Sequence, residues 1–541
     1  MIRAFRIYCG VSDFLNKQRV FMKYCPKCKK NYTEETVKFC RKDGTRLIDE
    51  LLESSRTLPL PKFPKNDELS THLFPATHSI AVLPFANMTA DAENEYFCDG
   101  LAEELLNALA KIEGLKVAAR TSAFSFKGKN VNVSEIGKVL NVNAVLEGSV
   151  RKADKRLRVV VQLVNATNGY YIWSERYDRE IKDIFDVQDE ITLAVVDVLK
   201  VKMLGKRKSV VLKRYTDNIK AYGLYLKGRF YYNKYTAEGW RTGIEYFKKA
   251  IKIEPQFAPA FTGIAVCLGA LWYFGFSAPH EIVPKWKAAA SRALEIDNDL
   301  AEAHFTMASI LFFYEWNWKE AEREIKRAIE LNPNSVNAYW RYGMFLASRE
   351  QFEQAIKYGR QAVELDPLSL VANFFMEWIY WYAERFDDAL EQINKMIEIE
   401  PNFSLAYWQM GTILVAKGMF EEGIAAYQKA LALDNSHIVL SFLGVTYGTS
   451  GKQNEALEVL NQLLEMKKHQ YVPAINIARV YSGLGETDKA FEWLEKAVEE
   501  RNGELVYLNI ETKVGTGDVW GRSVRQDPRL PDLLRRVGLT Q

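Results

Sequence analysis

The 541-residue chain is poor in the features that announce many function classes. It has six cysteines, Cys9, Cys25, Cys28, Cys40, Cys98 and Cys267, so a disulfide scaffold is excluded and a thiol-reducing, cytoplasmic location is the expectation. No apolar run approaches the about 18 residues needed to span a bilayer. The first 21 residues are basic, but Asp13, Asn16 and Lys17 break their apolar run, which argues against a secretory leader. Met22 is an equally good translation start, because organised sequence begins just after it. The formal net charge is only +3, too weak a bias to argue for nucleic acid as the partner. The GxxxxGK[ST], GxSxG and HExxH patterns that mark phosphate loops, nucleophile elbows and zinc hydrolases are all missing.

A period is present instead. Pro333, Pro367 and Pro401 stand 34 residues apart, and Asn435 continues the spacing. Each closes an acidic-apolar run: AIELNP, AVELDP, MIEIEP, ALALDN. Small residues recur twelve positions earlier at Ala321, Ala355, Ala389 and Gly423, and five earlier at Ala328, Ala362 and Ala430, with Met396 the exception. A 34-residue unit of two antiparallel helices needs small residues where the helices cross and a proline where the second cannot continue. These are tetratricopeptide repeats, about eight of them over residues 218–505. Pro255 and Pro333 are 78 residues apart, two repeats and about ten more; the surplus is expected as a longer connection at 274–284.

In such a stack the first helix of each pair forms the concave face. Positions expected there are Phe313, Trp340, Phe374, Trp378, Trp381 and Trp408, an aromatic stripe rather than a set of lysines and asparagines for a terminal carboxylate. Buried aromatics anchor interfaces, so an apolar peptide segment is the expected ligand of the groove. The alternative is that these rings pack between repeats or against a C-terminal element. The tail, 506–541, breaks the period; LPDLLRRVGL reads as a short amphipathic helix that caps the stack.

Residues 23–50 hold Cys25-x2-Cys28, then Cys40, then Asp43. Two such hairpin tips can present four ligands to one zinc ion, and a segment with so little apolar content would need the metal to fold. A knuckle without metal and a redox Cys-x2-Cys pair are the other readings. Residues 1–22 are an extension, and 51–77, with their prolines, a linker.

Residues 78–200 read as a small α/β domain. SIAVL is a buried strand, ENEYFCDGLAEELLNALAKIEG an amphipathic helix, GLKVAAR a second strand, and VSEIGKVLNV a helix with Ser134 as its cap. The alternation of LRVVVQLV and YYIWSERY predicts antiparallel strands with turns at 152–155 and 165–169. Glu103 and Glu104 are adjacent on a helix and cannot work as a facing pair. Cys98 reads as a structural thiol. A connector, 201–217, leads to the repeats.

AVLPFANMTADAENEYFCDGLAEELLNALAKIEGLKVAARTSAFSFKGKN, VLEGSVRKADKRLRVVVQLVNATNGYYIWSERYDREIKDIFDVQDEI and the repeats together resemble bacterial tetratricopeptide proteins with a TolB-like amino-terminal domain. The resemblance covers about residues 78–541. It implies a protein-interaction or ligand-sensing module, in relatives joined to a DNA-binding winged helix, an adenylate cyclase domain or a kinase domain. None of those pieces is in this chain, so no effector activity is carried over. The front segment resembles a small zinc ribbon of the pattern CPxC…FCxxDG, which places Asp where Asp43 stands. The expected function is a non-enzymatic scaffold or regulatory adaptor holding a protein or peptide. A nucleic-acid-associated regulator and an enzyme with an unrecognised site in the α/β domain are the alternatives.

Overall fold

The computed structural model describes residues 23–24, 31–32, 48–49, 78–89, 91, 94–153, 155–201, 211–273, 275–513 and 519–540. The chain divides into two units, 7–76 and the remainder from 77 on. Of the smaller, three two-residue strands are described: β1 (Lys23–Tyr24), β2 (Asn31–Tyr32) and β3 (Ile48–Asp49), antiparallel in the order β2-β1-β3. Cys25, Cys28, Cys40 and Asp43 lie outside the described residues.

The larger unit opens with a mixed sheet of β4 (His78–Val82), β5 (Ala86–Asn87), β6 (Leu115–Val117), β7 (Ala144–Ala153), β8 (Arg156–Asn165) and β9 (Tyr171–Glu180). Its order is β6-β4-β7-β8-β9, with β5 also on β7. The β4, β5 and β6 pairings are parallel, and β7-β8-β9 form the antiparallel meander that the alternation predicts. Helices α1 (Glu95–Ala110), α2 (Arg120–Phe124), α3 (Val133–Leu140) and α4 (Ile184–Val198) complete the domain. The cap of α3 is Asn132, whose side chain accepts from the Glu135 backbone, and not Ser134, which lies inside the first turn. The local reason is spacing: an N-cap oxygen must reach an N–H two or three residues on, and Asn132 is the residue that precedes the first helical position.

The repeats follow as eight helical hairpins. The pairs are α5 (Ile219–Tyr232) with α6 (Ala237–Ile253), α7 (Ala258–Tyr273) with α8 (Pro279–Ile296), α9 (Ala301–Ile310) with α10 (Trp318–Leu331), and α11 (Val336–Ser348) with α12 (Phe352–Leu365). Next come α13 (Leu370–Tyr382) with α14 (Phe386–Ile399), α15 (Ser404–Ala416) with α16 (Phe420–Leu433), α17 (His437–Thr449) with α18 (Gln453–Lys467), and α19 (Ala474–Gly483) with α20 (Thr487–Glu499). Small residues sit where the period demands them. A Cβ on Gly411 would lie 2.6 Å from the ring of Tyr427, so that hairpin closes only around glycine. The ten surplus residues do not make a long connection. They lengthen helix instead: α8 runs for 18 residues with Pro279 at its start and Pro284 inside, leaving only 274–278 between it and α7.

One apolar core runs from the sheet into the first three hairpins. Leu101, Leu105 and Leu109 of α1 belong to the same cluster as Tyr222, Tyr225 and Leu226 of α5 and Ile310 of α9. The α/β domain is therefore built onto the repeats rather than tethered to them. Further along, α11 and α13 are buried on all sides, whereas α12 and α14 show one buried face. A helix buried all round needs cover on both faces, and on α13 part of that cover is the C-terminal tail.

No described helix is long and apolar enough to cross a membrane.

Candidate functional site

After α20 the chain turns back along the stack. A short 3-10 segment (Gly503–Tyr507) and a single helical turn, α21 (Leu508–Glu511), lie against the first helices of several hairpins. Tyr507 is the anchor. Its ring meets Phe312 at 6.1 Å, Phe313 at 6.4 Å, Trp378 at 5.8 Å and Tyr382 at 5.7 Å between centroids. Glu511 is 5% exposed and accepts from Trp520 Nε1 at 3.1 Å, Arg479 Nη2 at 3.2 Å and the Tyr382 hydroxyl at 3.3 Å. The tail thus ties α13 to α19 through one carboxylate.

The rest of the tail, with α22 (Arg522–Arg525) and α23 (Leu530–Arg536), binds the turns inside the hairpins. Gly521 donates to Ser482 Oγ at 3.0 Å, Trp318 Nε1 donates to the Val537 carbonyl at 3.0 Å, and Arg349 Nη1 to the Gly538 carbonyl at 3.1 Å. These contacts run from the eighth hairpin back to the third. This end of the tail also lies on the last hairpin, as expected of a cap: Arg529 pairs with Asp488 at 3.0 Å and sits 4.2 Å over Phe491, and Arg536 pairs with Glu495, all on α20; the contacts to Trp318 and Arg349 extend it beyond that end.

Between tail and first helices lies a cavity of about 130 Å³. Phe313, Phe374, Trp378 and Trp408 of the aromatic stripe line it, together with Trp272, Phe442, Gly503 and Tyr507. Trp340 and Trp381 are not part of the lining. Trp340 stacks flat on Phe375 with centroids 4.0 Å apart, and Trp381 has no exposed surface and packs on Tyr382 at 4.8 Å. The polar lining residues are His437, held by Asn476 at 2.8 Å and pushed down to about 4 by burial, Asn502, Glu504 and Glu511, with the tyrosines Tyr273, Tyr471 and Tyr507. Burial pushes Glu504 above the usual carboxylate range despite Arg479.

On the other side of the hairpins, at the turns between repeats, sits the α/β domain. The Asn334 amide donates to the carbonyls of Ala110 and Leu115 at 2.9 and 3.0 Å and accepts from the Val117 backbone at 3.1 Å. Asp366 accepts from the Ser122 backbone at 3.0 Å, and Ala119 N–H donates to the Leu365 carbonyl at 3.0 Å. Glu103 is 3% exposed and accepts from Arg229 at 2.6 Å, Arg120 at 2.8 Å and Asn233 at 2.9 Å. Burial would push its carboxyl up, but Arg229 and Arg120 hold it below the ordinary value. Glu103 has no local pattern to mark it, because Glu104 does not face it and its partners are 17, 126 and 130 positions away. Cys98 is buried and its thiol pushed up to about 12, chiefly by that burial, which makes it a poor nucleophile. Among the described residues no group of three or more His, Cys, Asp or Glu is arranged to hold a metal.

Comparison with known proteins agrees with this division. A family model described as the second domain of HilA/YgeH-like transcriptional regulators matches residues 76–193. Tetratricopeptide-repeat models match 306–369, 405–437 and 474–503, and the chain carries such repeats. A putative adenylate cyclase of Rhizobium meliloti (strain 1021) is 34% identical over 248 residues, 44% of this chain; the chain spans 40% of that relative's length. Among solved structures, YrrB, a tetratricopeptide protein with an unusual peptide-binding site, is 22% identical over 36% of this chain and 94% of its own, with a TM-score of 0.26. A thermophilic tetratricopeptide protein of Thermus thermophilus is 19% identical over 34% of this chain and 98% of its own, with a TM-score of 0.31.

Proposed function

We propose that this chain is a non-enzymatic scaffold or regulatory adaptor whose repeats hold an apolar segment of a protein partner. The observation that carries the reading is the tail: the first helices already receive an apolar segment, Gly503–Glu511, on their aromatic rings. A face that binds one such segment in cis has the chemistry to bind another in trans, and the partner segment would compete with the tail for Phe313, Trp378 and their neighbours. The α/β domain, docked at the inter-repeat turns, supplies a second surface. The test is a Tyr507→Ala variant of the full chain, with the partner sought by co-purification from the cells that make the protein. Loosening the tail should increase capture of one defined partner, and a peptide of sequence Asn502–Thr512 should compete it away. Capture that is indifferent to both variant and peptide sinks the groove reading.

A second reading has its own support. The match of residues 76–193 to a domain of transcriptional regulators favours an adaptor that works beside DNA. Salt-dependent binding of duplex DNA by the full chain would support it, and no binding at low salt would end it. For the front segment the reading is one zinc ion held by Cys25, Cys28, Cys40 and Asp43, on the strength of their spacing. Elemental analysis should find one zinc per chain, lost on Cys25→Ala; a metal-free wild-type protein purified without chelator overturns it.

A further inference from the structure

β9 is the last strand of its sheet. It pairs with β8 on one side, and among the described residues no backbone group bonds to it from the other. All of its ten residues except Tyr177 are exposed or half-buried. An open edge of this length is a template for another strand, and edges that must stay single are blunted by proline, by bulges or by charges that repel an incoming strand. β9 has no proline, and its register with β8 is regular from Trp173 to Glu180. Its charges are of both signs: Glu175, Arg176, Asp178, Arg179 and Glu180. Three acids and two bases suit neither a phosphate backbone nor a strongly charged peptide.

The order of those charges suits one occupant. Residues 175–179 read Glu-Arg-Tyr-Asp-Arg, so each charge is mirrored about Tyr177 by its opposite. In an antiparallel pair of identical strands related by a two-fold axis through the sheet, residues equidistant from the axis stand opposite each other on the same face. With the axis at Tyr177, Arg176 faces Asp178 of the second copy and Glu175 faces Arg179 of the second copy, each twice by symmetry. Trp173 then faces Ile181 of the second copy. With the axis at 175, 176, 178 or 179, a charged residue faces its own copy. Opposite charges directly across a ladder favour pairing and like charges oppose it, so the pattern selects the register as well as the partner. The present partners of these side chains do not stand in the way. Arg158 and Arg176 hold Asp178 at 2.6 and 3.0 Å, and Glu190 holds Arg179 at 3.5 Å, all at exposed positions where ion pairs exchange at little cost.

We propose that two copies of this chain associate edge to edge through β9, antiparallel about Tyr177, so that one sheet runs through both α/β domains. The surface uses none of the residues of the aromatic groove, and the proposal stands or falls apart from the groove reading.

The test is sedimentation velocity of the full chain over a concentration series from micromolar to hundreds of micromolar. The wild type should show a monomer–dimer equilibrium. Arg176→Glu sets like charges against Asp178 of the second copy and should raise the dissociation constant tenfold or more. Adding Asp178→Arg to that variant recreates the opposed pair with the signs exchanged and should restore the dimer. A monomer at every concentration, a dimer indifferent to Arg176→Glu, or a loss that Asp178→Arg does not repair each overturns the proposal. Hydrogen exchange of the wild type, read on either side of the dissociation midpoint, decides the matter if a variant does not fold. Amides of 174–180 should exchange more slowly in the dimer. Amides equally slow in the monomer would mean that another part of the chain covers the edge, and amides equally fast in both that the dimer forms elsewhere; either result ends the proposal.

Discussion

Arg229 of α5 and Glu103 of α1 lie 126 positions apart in the chain and meet at 2.6 Å inside it. Arg229 also grips Glu302 of α9 at 3.0 Å, and Glu103 is braced by Arg120 and Asn233. One ion-pair network thus pins the α/β domain to the first and third hairpins, over a core that is continuous between them. Whatever the repeats do mechanically, the α/β domain moves with them.

Removing one partner of such a pair leaves the other buried and unpaired, which costs about 3–5 kcal/mol. Glu103→Gln should therefore lower stability in chemical denaturation far more than Arg229→Met and Glu103→Leu made together. It should also open the domain boundary to limited proteolysis near residue 229. A single variant that melts like the wild type would show that the network contributes nothing to the joint.

Asp366 makes a pH-dependent contribution of known sign. Burial pushes its carboxyl up to about 6, against the hydrogen bonds from Ser122 that favour ionisation. A raised folded-state value means the folded chain holds this proton more tightly than the unfolded one. The contribution is therefore most favourable below about pH 4 and is lost as pH rises to 6. At about 1.4 kcal/mol per pH unit, that is about 3 kcal/mol. Wild type and Asp366→Asn compared at pH 4 and pH 7 should show the wild type gaining that much on acidification relative to the variant. A constant difference would contradict the buried setting.

Gly521 fixes the tail to the last hairpin. A Cβ there would come within 1.8 Å of the Ser482 carbonyl, a backbone atom that cannot step aside. Gly521→Ala should release 519–540, seen as early proteolytic clipping and a lower Tm. Gly223, in α5 with open space around it, is the control: Ala there should be neutral or stabilise by up to about 1 kcal/mol, since glycine is a poor helix former.

The repeats were legible because their physics is periodic: a proline and two small residues per 34 positions mark where helices end and cross. The antiparallel meander was legible from alternation for the same reason. The joints were not. Asn334 follows Pro333 and reads as a turn residue, and Asp366 reads as part of the acidic ending common to every unit. Their partners, Leu115 and Ser122, are more than 200 positions away, and one amide bridging three backbone groups has no local pattern. One signal was available for the tail. LVANFFMEWIYWY in α13 has no polar face, and a first helix of a solvent-filled groove should have one.

The aromatic stripe divides into rings that hold the stack together and rings that face the cavity, and substitution should separate the two. Trp381 has no exposed surface and does not line the cavity, so alanine there should cost about 3–5 kcal/mol and leave cavity binding unchanged in whatever fraction folds. Trp408 and Trp378 are also nearly buried, but one side of each faces the cavity. Phenylalanine there should keep most of the packing, because it refills the aromatic contacts to Phe374 and Phe442, while enlarging the cavity and removing an unmet indole N–H. Trp408→Phe is thus expected to cost about 1–2 kcal/mol of stability at most, yet to alter binding of any cavity or groove ligand severalfold. Calorimetry on Trp408→Phe beside Trp381→Phe checks the division. Equal effects of the two on binding, at equal stability, would mean that the cavity-facing rings are packing residues like the others.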